Sequence, residues 1–308
     1  MSDDSQDEDD RAPLASLRER IAQAVRDVKS TTPLAQSFTN FVTINLVANA
    51  QLAAGGTAAM SFLPDDVIDT AAISGADYIN VGTLLPFYRD ALPRIARAFH
   101  KTGHRWVLDP VAAGIGETRT EILRAFRATP PTLVRGNASE IIALTSMWRL
   151  ADAAADGASD KASDTASDTA STRPAGVESV DEVDAAVDSA KRLARFLADG
   201  TPDGKAAVAV SGAVDLVTDG EHVYRLPGGS ALMTKITGAG CSLGGVTATY
   251  LAVAEPLTAA LAATLLYNRA AEIAEAKSDG PGTFQVHLLD ALWNLTPEQV
   301  AESAIVTQ

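Results

Sequence analysis

Cysteine is almost missing from this chain. One residue, Cys241, stands among 308, which excludes an intrachain disulfide and suits a reducing compartment. Long apolar runs are missing too. No stretch approaches the roughly 18 residues that a membrane-spanning helix needs. The opening residues, Met-Ser-Asp-Asp-Ser-Gln-Asp-Glu-Asp-Asp, have neither a basic region nor an apolar core, so no signal peptide is expected and the cytoplasm is the expected location. Aromatic residues make up 5% against 46% hydrophobic residues overall, so alanine and valine must fill much of the core. Lysine is scarce, at 7 of the 25 basic residues (29, 101, 161, 191, 205, 235 and 277), and 39 acidic residues bring the net charge to −14. A field of that sign repels nucleic acid and anionic membranes, so neither is an expected partner. It also repels nucleotide phosphates at long range, so a nucleotide site must be locally positive. An acidic, lysine-poor surface fits a salt-rich, halophilic cytoplasm in which self-repulsion is screened.

Two segments stand apart. Residues 1–13 are acidic, and disorder is expected there. Residues 151–176 repeat Ala-Ser-Asp without large apolar groups and read as a low-complexity surface loop or linker. The remainder, 14–300, reads as one domain carrying that insert, because motifs on both sides of it point to a single site. The pattern predicts helices at 15–30, 64–73, 86–102, 118–128, 138–148, 180–199, 242–253, 256–276 and 287–294. It predicts strands at 58–62, 76–81, 105–109, 132–134 and 206–210, then a hairpin over 214–224 with Asp219-Gly220 at its turn. Such alternation implies a mostly parallel sheet covered by helices on both faces. Ligands of such sheets sit beyond the carboxyl ends of the strands. Polar words fall there: Asn80-Val81-Gly82-Thr83, Asp109-Pro110, Arg135-Gly136-Asn137 and Ser211-Gly212.

The densest signal is Lys235-Ile236-Thr237-Gly238-Ala239-Gly240-Cys241-Ser242. Two glycines permit a tight turn, and a small-residue helix follows. Backbone N–H groups and the helix dipole then make an anion site of Gly238, Ala239, Gly240 and Cys241. A thiol at that position is expected to have a lowered pKa. The same residues also suit a plain tight loop with a small core cysteine. Arg135, at a strand end and facing this turn, is a fixed cation for a phosphate. Asp109 and Glu140 can hold Mg²⁺ through waters, since Mg²⁺ takes few carboxylates and keeps its water. Their structural alternatives are equally concrete: Asp109 as a turn or helix cap, and Asn137 with Glu140 as a capping box.

These motifs in this order resemble the hydroxyethylthiazole kinases of thiamine salvage, within the ribokinase-like superfamily. The matching words are Thr39-Asn40-Phe41-Val42-Thr43, Ala48-Asn49-Ala50, Ala59-Met60, Asn80-Val81-Gly82-Thr83, Leu108-Asp109-Pro110-Val111, Arg135 through Glu140, Val214 through Gly220, Leu232 through Cys241, Gly280-Pro281-Gly282 and Leu289 through Leu292. They span about 34 to 295. The resemblance implies a three-layer α/β/α sandwich around a mostly parallel sheet. It implies ATP- and Mg²⁺-dependent phosphorylation of the hydroxyl of 4-methyl-5-(2-hydroxyethyl)thiazole. Carried over by residue, Met60 and Gly238 contact the alcohol, with Asn40 and Gly82 nearby. Arg135 and Ser211 contact ATP, and Asp109 and Glu140 belong to the Mg²⁺ and phosphate network. Cys241 is the catalytic side chain, positioning the alcohol or accepting its proton. A homotrimer with thiazole sites at subunit contacts is implied as well.

Some positions depart from the family pattern. Ala239 replaces a usual Thr and Ala112 a usual Gly. Gly56-Thr57-Ala58-Ala59 replaces Ala-Ser-Pro before the methionine, and Ser211 stands where Thr is common. The competing readings are a kinase of another small alcohol (a pyrimidine or a sugar), an ATP-dependent dehydratase of hydrated nicotinamide nucleotides, and a non-catalytic binder. Cys241 in place of the Asp usual in other ribokinase-like enzymes argues against the first two. Retention of both Asp109 and Glu140 argues against the third.

Overall fold

The computed structural model describes residues 4–150 and 180–308. The 151–176 insert lies outside the described residues, apart from any test of its expected loop character. The elements run in chain order as α1 (Asp4–Thr31), β1 (Leu34–Phe38), α2 (Ile44–Ala53), β2 (Thr57–Met60), α3 (Pro64–Thr70), β3 (Ala76–Asn80), α4 (Tyr88–Thr102), β4 (Trp106–Asp109), α5 (Glu117–Phe126), β5 (Leu133–Asn137) and α6 (Ala138–Met147). There follow α7 (Val180–Asp199), β6 (Ala207–Ser211), β7 (Val214–Thr218), β8 (Val223–Pro227), a 3₁₀ turn (Ala231–Lys235), α8 (Ala239–Leu251), α9 (Pro256–Glu275), α10 (Pro281–Asn294), α11 (Pro297–Ala301) and β9 (Val306–Thr307).

Among the described residues, nine strands form one sheet in the order β2-β1-β3-β4-β5-β6-β7-β8-β9. Pairing is parallel from β2 through β6 and antiparallel from β6 outward. Alternate strand residues serve two cores. Ala35, Ala76, Tyr78, Val107, Leu133, Ala207 and Val217 pack beneath α1, α2, α8, α9 and α10. Phe38, Ile79, Trp106, Leu108, Val134, Val208 and Leu216 pack beneath α4, α5, α6 and α7. This is the expected three-layer sandwich. The first face is paved with small side chains, which lets α8 and α9 approach closely and explains the low aromatic content.

The first helix differs from expectation. It begins at Asp4, inside the segment expected to lack order, and contains Pro13. The hairpin forms as predicted, but β7 and β8 are joined by four residues, Asp219 to His222, rather than a two-residue turn. Asp219 Oδ1 accepts from the backbone N–H of Glu221 and His222, at 2.9 and 2.8 Å, which holds the longer loop.

Candidate active site

Register brings the polar strand ends into one row. Asn80 pairs with Asp109, and Asn137 with Ser211. Arg135 extends from β5 beneath the start of α8. An added Cβ on Gly240 would lie 2.8 Å from Arg135 Nη1, so any larger residue there would displace the guanidinium. Gly238 caps α8 at φ +91°, in the left-handed region that favours glycine. Its own Cβ would lie 2.6 Å from Thr43 Cγ2, so the turn is also pressed against the start of α2.

Arg135 joins the two sides of the insert. Its Nη2 donates to Ser211 Oγ at 2.6 Å, and Nη1 reaches Asp109 Oδ2 at 3.4 Å. Burial disfavours its charge, but Asp109, Tyr78 and Glu140 outweigh that and raise its pKa. Asp109 is 1% exposed. Tyr78 Oη donates to its Oδ2 at 2.8 Å and Asn80 Nδ2 at 3.2 Å, while Oδ1 is buried without a partner. Burial pushes the Asp109 carboxyl up, against the pull of Arg135, Tyr78 and Asn80. An unpaired buried carboxylate oxygen is an unfinished coordination, and hard oxygen donors of this kind suit Mg²⁺.

Glu140 does what the capping pattern requires. Asn137 Oδ1 accepts from Glu140 N at 2.8 Å, and Glu140 Oε2 accepts from Asn137 N at 2.9 Å. Its Oε1 accepts from Ala112 N at 2.9 Å. Burial and the neighbouring Asp109 charge raise its pKa. Each oxygen keeps a free lone pair, so capping leaves room for a water-mediated role with Mg²⁺. Ala112 is held at φ +58°, where the usual glycine would sit without strain.

Cys241 lies in the first turn of α8. Asn40 Nδ2 donates to its Sγ at 3.4 Å and Asn80 Nδ2 at 3.3 Å. The expectation of a lowered pKa is not met. Burial and then the Asp109 charge push the thiol above its ordinary value, although Arg135, Thr43 and Asn40 pull it down. The helix pole is outweighed because the sulfur is desolvated beside a carboxylate. Gly82 N donates to Asn80 Oδ1 at 2.8 Å, which ties the Gly82 loop to the same cluster. Asn40, Gly82, Asp109, Arg135, Ser211 and the Gly238–Cys241 turn are thus assembled around one point. Met60 stands apart from these contacts, at the end of edge strand β2 opposite Ser37 of β1.

Three residues were not singled out from sequence. Tyr78 reads as a core aromatic in an apolar strand. Asn80 was one letter of a polar word, and its position at the strand end was the available signal. Arg119 on α5 donates to the carbonyls of Val81, Gly82 and Ile115 at 3.0, 2.6 and 2.7 Å. Nothing local in the sequence signals that role.

A mostly parallel sheet, a glycine turn feeding a helix, and an arginine and carboxylate beneath it define a ribokinase-like fold. A ribokinase-like superfamily protein from Enterococcus faecalis V583 superposes with a TM-score of 0.51 at 13% identity, covering 86% of this chain and 88% of that one. The chain belongs to the hydroxyethylthiazole kinase family, whose sequence model matches residues 25–172 and 165–298. A hydroxyethylthiazole kinase of Bifidobacterium adolescentis is 72% identical over 306 residues, 99% of each chain. A solved hydroxyethylthiazole kinase protein from Pyrococcus horikoshii OT3 superposes with a TM-score of 0.77 at 27% identity, covering 94% of this chain and 98% of that one.

Proposed function

We propose that this site transfers the γ-phosphoryl group of ATP to the hydroxyl of 4-methyl-5-(2-hydroxyethyl)thiazole, with Mg²⁺. Family membership supports phosphotransfer to an alcohol, and the other small alcohols and the dehydratase are not favoured. The observation that carries the site assignment is Arg135. It bridges Asp109 and Ser211 directly under Gly240, where transferring phosphoryl oxygens need a fixed cation beside the N–H groups of a helix start. Arg135 and Ser211 hold ATP phosphates, and the Gly238–Cys241 turn holds the oxygens in flight. Met60, Asn40, Gly82 and Gly238 frame the alcohol. Asp109, through Oδ1, and Glu140 would hold Mg²⁺, which supplies neutralisation of the phosphoryl charge when bound.

In the transfer, the bond from γ-phosphorus to the bridging oxygen breaks as the bond to the alcohol oxygen forms. ADP and the thiazole phosphate result, and the alcohol proton is released. The thiol of Cys241 is held up by burial and Asp109, so it meets the alcohol in its neutral form and positions it. A loose phosphoryl transition state makes little demand on a base.

A homotrimer is part of the same proposal. Phe41, Val42, Leu63 and Phe87 are exposed; the first three flank Asn40 and Met60 in sequence, Phe87 packs edge-on against Tyr88 at 4.5 Å, and Phe41 continues into Phe62 and Tyr88 at ring separations of 5.1 and 6.4 Å. An apolar surface beside the alcohol site fits burial against a second copy. Among the described residues no helix is long and apolar enough to cross a membrane. The test is ADP release over the thiazole alcohol, a pyrimidine alcohol and ribose, with the product identified by ³¹P NMR. Phosphorylation confined to the thiazole alcohol supports the reading. Binding of that alcohol with no ADP released contradicts it and favours a non-catalytic binder.

A further inference from the structure

We propose that Asn80 is a positioning residue that couples the alcohol half of the site to the phosphoryl half. Its amide lies between them and contacts both. Oδ1 accepts from Gly82 N at 2.8 Å and from Asn40 Nδ2 at 3.2 Å. Nδ2 faces Tyr78 Oη at 2.9 Å, Asp109 Oδ2 at 3.2 Å and Cys241 Sγ at 3.3 Å. The backbone N–H of Gly82 can only donate, so it fixes which end of the amide is oxygen. The nitrogen must therefore face the thiol and the carboxylate. Asn80 is 2% exposed, so water cannot replace these bonds.

The Asn80 amide has two hydrogens and three acceptors within reach. Tyr78 Oη donates to Asp109 Oδ2, so it accepts from Asn80 and passes polarisation to the carboxylate. The remaining hydrogen lies between Asp109 and Cys241. A shift of either group toward its substrate changes what the amide can give the other. Asn80 thereby sets the distance and orientation between the thiol that meets the alcohol and the carboxylate that meets the phosphoryl network. Tyr78 completes the linkage from behind, its ring locked against α8 where Gly244 leaves no room for a Cβ (2.4 Å to Tyr78 Cε2).

The inference rests on the roles proposed above for Cys241 and Asp109, and its test is separable from theirs. Cys241 is the only cysteine, so alkylation by iodoacetamide at fixed pH reports on this sulfur alone. The variant is Asn80→Asp, which keeps the acceptor for Gly82 and Asn40 and replaces the donor by an oxygen. Loss of the donor and the added negative charge disfavour the thiolate, which is the reacting form. Alkylation should slow severalfold, and kcat should fall roughly 10- to 100-fold, as for other residues that orient a site from behind. The KM for ATP should change less than kcat. If the variant does not fold, Asn80→Ser carries the same two readouts, since its hydroxyl is too short to reach sulfur and carboxylate together. A fall in kcat with unchanged alkylation overturns the coupling, as does slower alkylation with unchanged kcat. An inactive parent protein would instead contradict the proposed function.

Discussion

Two side-chain amides donate to Cys241 Sγ, from Asn40 and Asn80, so the position is shaped for an acceptor. A carboxylate would receive the same donors and also take the alcohol proton. Cys241→Asp is expected to keep kcat within about tenfold of the parent or to exceed it, because base assistance is worth up to about 10²–10⁴-fold where it is used. Cys241→Ala should lose more, without abolishing turnover, since Arg135 and the backbone donors remain. Measured kcat values, with folding checked by circular dichroism, decide this; a folded but dead Asp variant beside an unimpaired Ala variant makes Cys241 a packing residue. Ala112 offers a second residue-scale prediction. Its left-handed backbone, at φ +58°, costs about 1–2 kcal/mol, and glycine would give back about 0.4–1 kcal/mol in unfolded-chain entropy. Ala112→Gly should therefore stabilise by about 0.5–1 kcal/mol. A lower melting temperature would show that the strain is relieved elsewhere.

At the scale of elements, the loop after β3 is held by a neighbour far along the chain. Arg119 of α5 clasps the carbonyls of Val81, Gly82 and Ile115. Removing it in Arg119→Met should destabilise by about 1–2 kcal/mol, since water can take over part of its role at a half-buried site. It should raise KM for the thiazole alcohol more than KM for ATP, because Gly82 is proposed to frame the alcohol. Equal rises in both would detach the loop from alcohol binding. Such long-range clasps also mark what the sequence conceals. α7 was legible to the residue, since its apolar positions recur at helical spacing. β1 was not seen, because Gln36 and Ser37 interrupt its pattern. Both are buried and satisfied by partners distant in sequence, Asp77 at 2.8 Å and Gln51 at 2.9 Å. α2 was also missed, its asparagines and valine being weak helix formers until it packs on α8. The site words were legible because strand ends concentrate chemistry. Tyr78 was not, because its hydroxyl partner is supplied by the next strand.

The whole molecule carries a net charge of −14, and compaction brings those charges together. Raising KCl from 0.1 to 1 M shortens the screening length from about 10 Å to about 3 Å, so the melting temperature should rise with salt. A flat or falling curve would remove self-repulsion as a factor in its stability. The proposed phosphoryl-transfer site is assembled at the middle of the sheet, where β3, β4, β5 and β6 meet the start of α8. Arg135 is where those elements meet. The most direct measurement is therefore the single-turnover rate of Arg135→Ala, set beside its affinity for the thiazole alcohol by calorimetry. A rate loss of roughly 10²–10³-fold is expected, as for one donor to transition-state charge, with alcohol affinity nearly unchanged. A variant that turns over at the parent's rate, or loses only alcohol affinity, would contradict it.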